Sequence, residues 1–142
     1  MLYKNENSDG WTLTDAAKEL TYTTERYAII TANDIEDIVV TALEGGIDYW
    51  ACLDNITELW ELKPKNMPVS KYAAHLLMSD KELVFYDTED SEETWTLTME
   101  KLLRGLDMNA ENRPGESDLD DLDAESADCI FQYALMQEIV YG

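Results

Sequence analysis

The chain has 142 residues, of which 31 are Asp or Glu and 10 are Lys or Arg, so its formal net charge is −21. A surface of this sign repels nucleic acid, anionic lipid and polyphosphate, and it attracts basic protein surfaces. The 45% of hydrophobic residues, with four Trp and eight Tyr, are enough for a packed core and exclude a disordered acidic tail. The length fits one domain, which we place at residues 1–142.

The cysteines, the opening residues and the length of the apolar runs indicate the cellular compartment. Cys52 and Cys129 each lie alone in an apolar run, which is not a disulfide framework. The opening sequence, Met-Leu-Tyr-Lys-Asn-Glu-Asn, runs straight into polar residues, without a signal peptide, and no apolar run is long enough to span a membrane. We therefore predict a cytoplasmic protein with no membrane partner.

The first third of the chain has the weakest pattern. Residues 11–14 are typical of a strand, residues 15–20 of a helix and residues 26–31 of another strand. Residues 5–10 open like a calcium loop, but Ala16 stands at the twelfth position, where a bidentate Glu is required. We predict no metal and no other cofactor.

A clear amphipathic helix is predicted at residues 34–44, where apolar residues recur at helical spacing. Asn33 is a suitable N-cap, and Glu36 completes a sequence similar to a capping box. The glycine pair at positions 45 and 46 ends the helix, because glycine takes the left-handed conformation that a helix terminus needs. A strand is predicted next, at residues 48–53.

The middle of the chain predicts a short helix and a hairpin. Residues 72–78 are typical of the helix. Residues 83–86 and 94–97 are rich in strand-forming residues, and the acidic turn 87–93 joins them.

A short helix is predicted to begin near Thr98 and to carry Leu102, Leu103 and Leu106 inward. Residues 109–123 are polar and contain Pro-Gly and several carboxylates, which predicts a solvated acidic loop.

The C-terminal helix is predicted at residues 124–137, capped by Asp123. Residues 139–142 are short and apolar, so they form either an edge strand or a tail tucked against the core. Helices and strands mixed without a regular βαβ alternation predict the α+β class: a short antiparallel sheet packed with three to four helices.

Catalytic patterns are poorly represented. The single histidine, His75, lies in an apolar run, which is typical of a packing residue, and no nucleophile elbow is present. Neither Cys52 nor Cys129 is placed beside it by any motif. We predict that the protein is not an enzyme.

Two acidic clusters are the most distinctive feature of the sequence. The hairpin cluster consists of Asp87, Glu89, Asp90, Glu92 and Glu93. The connector cluster consists of Glu111, Glu116, Asp118, Asp120, Asp121 and Asp123. DNA carries one negative charge for about every 1.7 Å of its axis, so carboxylates at similar intervals on a rigid surface can occupy a DNA-binding cleft. Charge runs are also typical of solvated loops, and both interpretations stay open at this point.

Three segments carry a resemblance to a known group. They are Glu-Gly-Gly-Ile-Asp-Tyr-Trp at residues 44–50, Ala-Asp-Cys-Ile-Phe-Gln-Tyr-Ala-Leu at residues 127–135 and Glu-Ile-Val-Tyr-Gly at residues 138–142. From Asp34 to the C-terminus, including the hairpin and Lys-Leu-Leu-Arg-Gly at residues 101–105, the chain resembles small, mostly uncharacterised phage and prophage proteins. Residues 1–32 are less typical of that group.

The resemblance implies a biological setting and no residue roles. Small acidic phage proteins without catalytic motifs often act against host defence, as anti-CRISPR or anti-restriction proteins do. The leading hypothesis is therefore a non-enzymatic, phage-encoded inhibitor. It would present the two acidic clusters to a basic, nucleic-acid-binding host protein and would not bind nucleic acid itself.

Two alternatives remain. A sponge for a nucleotide-like immune signal would need an aromatic pocket with cationic groups, and an anionic ligand would have to enter the field of a −21 chain unless an oligomer concentrated its arginines. Its candidate residues are Tyr49, Trp50, Trp95, Lys101 and Arg104. Aromatic residues after a helix stop commonly pack into the core, which is the preferred interpretation of Tyr49 and Trp50. The other alternative is a structural or regulatory phage protein that binds another phage product.

Overall fold

A computed structural model describes residues 15–142, so the strand predicted at residues 11–14 and the calcium-like loop at residues 5–10 lie outside the described residues. In the described part, helices pack around two small antiparallel sheets. The predicted α+β class is confirmed. No helix between residues 15 and 142 is long and apolar enough to cross a membrane.

The elements follow one another with short connections. In chain order they are α1 (Asp15–Lys18), β1 (Thr21–Tyr22), β2 (Ile30–Thr31), α2 (Ala32–Thr41), β3 (Ala51–Leu53), α3 (Glu58–Glu61), α4 (Val69–Met78), β4 (Leu83–Asp87), β5 (Thr94–Leu97), α5 (Met99–Asn112) and α6 (Ala124–Met136). A turn at Ala42–Gly46 extends α2, and the backbone of Gly45 within it is extended rather than helical, with φ at 176°. Two 3-10 turns, Pro114–Glu116 and Leu119–Asp121, connect α5 to α6.

The larger sheet has the strand order β3-β4-β5, with both pairs antiparallel. The predicted hairpin is confirmed, and its register places Phe85 opposite Trp95. The strand predicted at residues 48–53 is shorter than expected, because the N–H groups of Trp50 and Ala51 donate to the carbonyl of Ile47 and keep the chain turning until β3 begins.

The predicted start of α2 is wrong by two residues. Thr31, not Asn33, is the N-cap: its hydroxyl accepts from the N–H of Asp34 at 3.1 Å, and the Asp34 carboxylate accepts from the N–H of Thr31 at 2.9 Å. This capping box satisfies two backbone donors reciprocally, so the helix begins at Ala32, directly after β2. Glu36 has no part in the cap.

The predicted strand at residues 26–31 is also too long, since only Ile30–Thr31 pairs with β1. The hydroxyl of Thr24 accepts from the N–H of Tyr27 at 3.0 Å, and the two residues also pair through their backbones. This local turn competes with an extended chain. The helix predicted at residues 15–20 ends at Lys18.

The helix after the hairpin is longer than predicted and removes part of the expected loop 109–123. Its 14 residues run to Asn112, because Asn109 is fully buried and its amide donates to the carbonyl of Glu116 at 3.2 Å. Leu102 and Leu106 point into the core as predicted, whereas Leu103 is only half-buried.

Helices α5 and α6 pack very closely, and the close approach depends on Gly105. A Cβ atom at that position would lie 2.5 Å from the carbonyl oxygen of Ile130 and 2.9 Å from the Cβ of Ala134. The C-terminal helix itself begins and is capped as predicted, with the carboxylate of Asp123 accepting from the N–H of Ser126 at 2.8 Å. This packing fixes the ends of the connection that carries the connector cluster.

Candidate partner-binding surface

The hairpin cluster lies on the turn between β4 and β5, and two of its five carboxylates hold that turn in shape. Asp87 accepts from the N–H of Glu89 at 2.8 Å and from the hydroxyl of Tyr141 at 2.9 Å. These hydrogen bonds favour the charged form and lower the pKa of Asp87. Asp90 accepts from the N–H of Glu92 at 3.0 Å. The two hydrogen bonds from the N–H groups of Glu89 and Glu92 order the backbone of the turn.

Four of the six carboxylates in the connector cluster also make internal contacts. Asp118 accepts from the N–H of Asp120 at 2.9 Å and caps a 3-10 turn. Asp123 caps α6, and the hydrogen bonds from Ser126 lower its pKa. Glu116 accepts from the hydroxyl of Ser126 at 3.1 Å, and Glu111 lies 3.9 Å from the guanidinium of Arg26. The connection between α5 and α6 is therefore an ordered structure built partly from its own acidic side chains.

Five carboxylates of the two clusters remain, and we call them the free carboxylates. They are Glu89, Glu92, Glu93, Asp120 and Asp121. All five are exposed, and within residues 15–142 their side chains form no hydrogen bond and no ion pair. They are available to an external cation, whereas the other members of the clusters stabilise the fold.

Tyr49 contacts the elements that carry both clusters. Its backbone carbonyl accepts from the hydroxyl of Thr88, in the hairpin turn, at 3.4 Å. Its phenol donates to the Oδ2 atom of Asp128, in the second turn of α6, at 2.5 Å. Burial and this hydrogen bond raise the pKa of Tyr49, so the phenol stays protonated at neutral pH. The hairpin turn and the start of α6 are thus both tied to Tyr49, the first through its backbone and the second through its side chain, and the residue is 51% exposed.

Trp50 is a core residue. It is 2% exposed, and its indole N–H donates to the Oδ1 atom of Asp128 at 2.8 Å. Its ring stacks on Tyr141 with centroids 5.0 Å apart and meets the edge of Trp95 at 5.4 Å. The expectation that Tyr49 and Trp50 both pack into the core is therefore correct for Trp50 and wrong for Tyr49.

The two cations of the alternative pocket are directed at protein carbonyls. Lys101 donates to the carbonyl of Thr96 at 2.8 Å, and Arg104 donates to the carbonyl of Ala134 at 3.1 Å. The first contact ties α5 to β5 and the second ties α5 to α6. Lys101 and Arg104 therefore stabilise the packing of α5. Trp50 is buried among aromatic rings, so these three residues of the proposed pocket have a structural role.

Asp128 and Gln132 are important residues to which sequence reasoning assigned no role, although both lie in the segment at residues 127–135 that carries the resemblance. Gln132 is fully buried, and its Oε1 atom accepts from the N–H groups of Val140 and Tyr141 at 2.7 and 2.8 Å. Its Nε2 group donates to Asp128 at 2.9 Å. Of the two predictions for residues 139–142, the tail tucked against the core is correct. The signal available in the sequence was an Asp and a Gln one helical turn apart within an otherwise apolar segment of the predicted helix.

His75 and Cys129, a possible base and a possible nucleophile, have the properties of core residues. His75 is 3% exposed, and burial lowers its pKa to about 4, so it is neutral at pH 7. Burial also raises the pKa of the Cys129 thiol, which is the opposite of an activated cysteine. Among the described residues, no three His, Cys, Asp or Glu side chains are grouped so that they could hold a metal ion.

Comparisons with known proteins add no identification: no family model matches the chain, and no curated protein or solved structure is significantly similar to it.

Proposed function

We propose that the protein is a non-enzymatic, phage-encoded inhibitor that binds a basic, nucleic-acid-binding surface of a host defence protein through its two acidic clusters. The observation that carries the proposal is the set of five exposed free carboxylates on two ordered connections. On a chain with a formal net charge of −21, they attract a cationic cleft and repel nucleic acid.

The free carboxylates and those with internal partners differ in what they lose on binding. A carboxylate that already has an internal partner loses that contact when it binds elsewhere, so its net gain is small. The free carboxylates lose only water and can form charge-assisted hydrogen bonds with Lys or Arg of a partner. They are therefore the side chains expected to account for affinity.

The backbone that carries the free carboxylates is ordered before any partner binds. Asp87, Asp118 and Asp123 fix the backbone next to the free carboxylates through hydrogen bonds of 2.8 to 2.9 Å. An acidic surface that is ordered before binding loses less conformational entropy on association than a flexible acidic tail does. This supports an acidic mimic of a nucleic acid backbone over two solvated loops.

The nucleotide sponge has less support. A ligand would have to displace Lys101 and Arg104 from the carbonyls of Thr96 and Ala134 and would find Trp50 buried. The structural or regulatory phage protein has no specific observation in its favour, and it stays a prediction.

The first experiment is capture of partners from host lysate on the immobilised protein, with washes at low and then high salt and identification of bound proteins and small molecules by mass spectrometry. We expect a basic, nucleic-acid-binding protein whose retention falls steeply with salt, because exposed ion pairs are screened. A nucleotide that co-elutes without a protein partner would contradict the proposal in favour of the sponge.

A charge-neutralised variant then tests the site itself. The test variant changes the five free carboxylates to their amides: Glu89→Gln, Glu92→Gln, Glu93→Gln, Asp120→Asn and Asp121→Asn. The matched control neutralises five exposed carboxylates outside the clusters: Glu19→Gln, Glu58→Gln, Glu61→Gln, Glu82→Gln and Glu100→Gln. Both variants lose five negative charges, so a difference in retention between them reports on position and not on net charge. Equal retention of the captured protein by the two variants would contradict the assignment.

A further inference from the structure

The larger sheet has two edges, and they are protected to different degrees. The carbonyl of Thr96, on the edge strand β5, accepts a hydrogen bond from the ammonium of Lys101 at 2.8 Å. Lys101 lies on α5, so its side chain covers part of this edge, and edges that are covered or charged resist further strand pairing. Strand β3, at the opposite edge, instead lies beside a groove of about 430 Å³.

The register shows which backbone groups of β3 face this groove. Cys52 lies opposite Tyr86, and the flanking N–H of Asp54 donates to Val84 of β4. Backbone groups alternate in direction along a strand, so the N–H and carbonyl of Leu53 and the carbonyl of Ala51 face away from β4. The N–H of Ala51 also faces that way and donates to Ile47 at 2.9 Å. A short row of backbone donors and acceptors is therefore left at the edge.

The groove has an apolar floor and an acidic rim. Leu43, Pro68 and Val69 line it, and Val69 is 40% exposed. Glu44 and Asp48 line it too, and both are exposed. Among the described residues that form the groove there is no lysine or arginine. An extended peptide added to a sheet edge gains affinity from backbone hydrogen bonds and specificity from pockets for alternate side chains.

From these observations we infer that β3 is a docking site for an extended segment of a basic partner, which adds a strand to the sheet. Apolar side chains of that segment enter the groove, and its Lys or Arg side chains meet the carboxylate of Asp48. Glu44 contributes less, because its carboxylate already accepts from the hydroxyl of Ser70 at 3.3 Å. A second copy of this chain is disfavoured as the occupant, because it carries the same net charge of −21. The groove shares no residue with the two acidic clusters, so this inference goes beyond the proposed function and is tested separately.

The probe is a seven-residue peptide of alternating valine and lysine with blocked ends, titrated into the full chain by calorimetry. Cys52 lines the groove and is half-buried, while Cys129 is buried, so alkylation of Cys52 reports occupancy. With peptide at about ten times its dissociation constant, we expect alkylation to slow about tenfold. We also expect the backbone amide of Leu53 to become protected from hydrogen exchange.

Two control peptides separate the contributions. Alternating glycine and lysine keeps the charge and removes the apolar side chains, while alternating valine and glutamate reverses the charge, and both should bind much more weakly. Equal binding by the glycine peptide would mean nonspecific charge attraction and would overturn the inference. No heat of binding from the valine–lysine peptide, or binding without protection of Leu53, would overturn it as well.

A matched pair of single substitutions tests the rim. Asp48→Lys should weaken binding of the valine–lysine peptide about fivefold, because an exposed attraction is replaced by a repulsion. Glu100→Lys changes the net charge equally at an exposed site outside the groove and should have little effect. Equal effects of the two substitutions would contradict the inference. A molecular mass that rises with concentration in the absence of peptide would identify a second copy as the occupant and would also overturn it.

Discussion

The buried carboxylate of Asp128 accepts a hydrogen bond of 2.8 Å from the indole N–H of Trp50, which lies 78 residues earlier in the chain. The other two donors to this carboxylate are the phenol of Tyr49 and the amide of Gln132, so all three are uncharged. Asp128 thereby joins the segment before β3 to helix α6, and Gln132 in turn holds the C-terminal tail. Through Tyr49, whose backbone carbonyl accepts from the hydroxyl of Thr88, this network also reaches the hairpin turn.

Removal of the Asp128 carboxylate should destabilise the fold. Asp128→Ala leaves the buried N–H of Trp50 and one N–H of the Gln132 amide without their acceptor, and we expect a loss of about 2 to 4 kcal/mol in the free energy of unfolding. Asp128→Asn keeps an oxygen in place of Oδ1 and should cost only about 1 kcal/mol. Urea denaturation monitored by tryptophan fluorescence measures both. Equal losses for the two variants would show that the hydrogen bond from Trp50 contributes little.

Gly105 should be intolerant of even one added methyl group. In Gly105→Ala, the new Cβ would lie 2.5 Å from a backbone carbonyl of α6, so the helices must separate, at a cost of about 1 to 3 kcal/mol despite the higher helix propensity of alanine. Gly115→Ala is the control, because no atom lies within 4 Å of its added Cβ. Thermal denaturation compares the two. A variant at Gly105 as stable as the control would contradict the close packing of α5 on α6.

Asp123 should act through stability rather than through partner contact. Asp123→Ala removes the side-chain acceptor for the N–H of Ser126 and should cost about 1 kcal/mol, whereas Asp123→Asn keeps an acceptor oxygen and should cost little. Denaturant unfolding measures the difference. Both substitutions remove the same charge, so any difference between them in partner capture would come from the cap. A stable alanine variant would contradict the capping role.

The parts of this fold that the sequence predicts well are those with local causes. The helix after Asp123 combines a cap and an apolar stripe within a few residues, and the hairpin combines two strand-forming runs with one turn. The C-terminal half of α5 was missed because Asn109 appears as a polar loop residue until its buried amide finds the carbonyl of Glu116. Nothing in the local sequence signals that partner.

In the candidate site, too, features with local causes are predicted from the sequence and features that depend on distant contacts are not. Both clusters are evident from composition, but sequence alone does not separate Asp87, which accepts hydrogen bonds from Glu89 and Tyr141, from Glu92, whose side chain is free within residues 15–142. That distinction depends on backbone geometry in a turn and on the position of a tail 54 residues later. The contact of Trp50 with Asp128 is equally non-local, so it too needed the structure.

Burial of His75 predicts a dependence of stability on pH. The folded pKa is about 4 and the ordinary value is 6.5, so between these values the unfolded chain binds a proton that the folded chain does not. This contribution is fully present above pH 6.5, declines as the pH falls towards 4 and amounts to about 3 kcal/mol. Carboxylates titrate in part of the same range, so the measurement is the difference between the native chain and His75→Gln in urea denaturation from pH 7 to 4. A difference that does not change with pH would contradict a buried neutral histidine.

The central claim, that the acidic clusters occupy a nucleic-acid-binding cleft, is tested most directly by competition. The host protein captured on the immobilised chain is bound to a fluorescent DNA duplex, and the chain is titrated in while anisotropy is followed at fixed salt. We predict that the native chain and the control variant displace the duplex, while the variant without the five free carboxylates displaces it only at much higher concentration. A ternary complex, in which the host protein holds the duplex and this chain together, would contradict the claim.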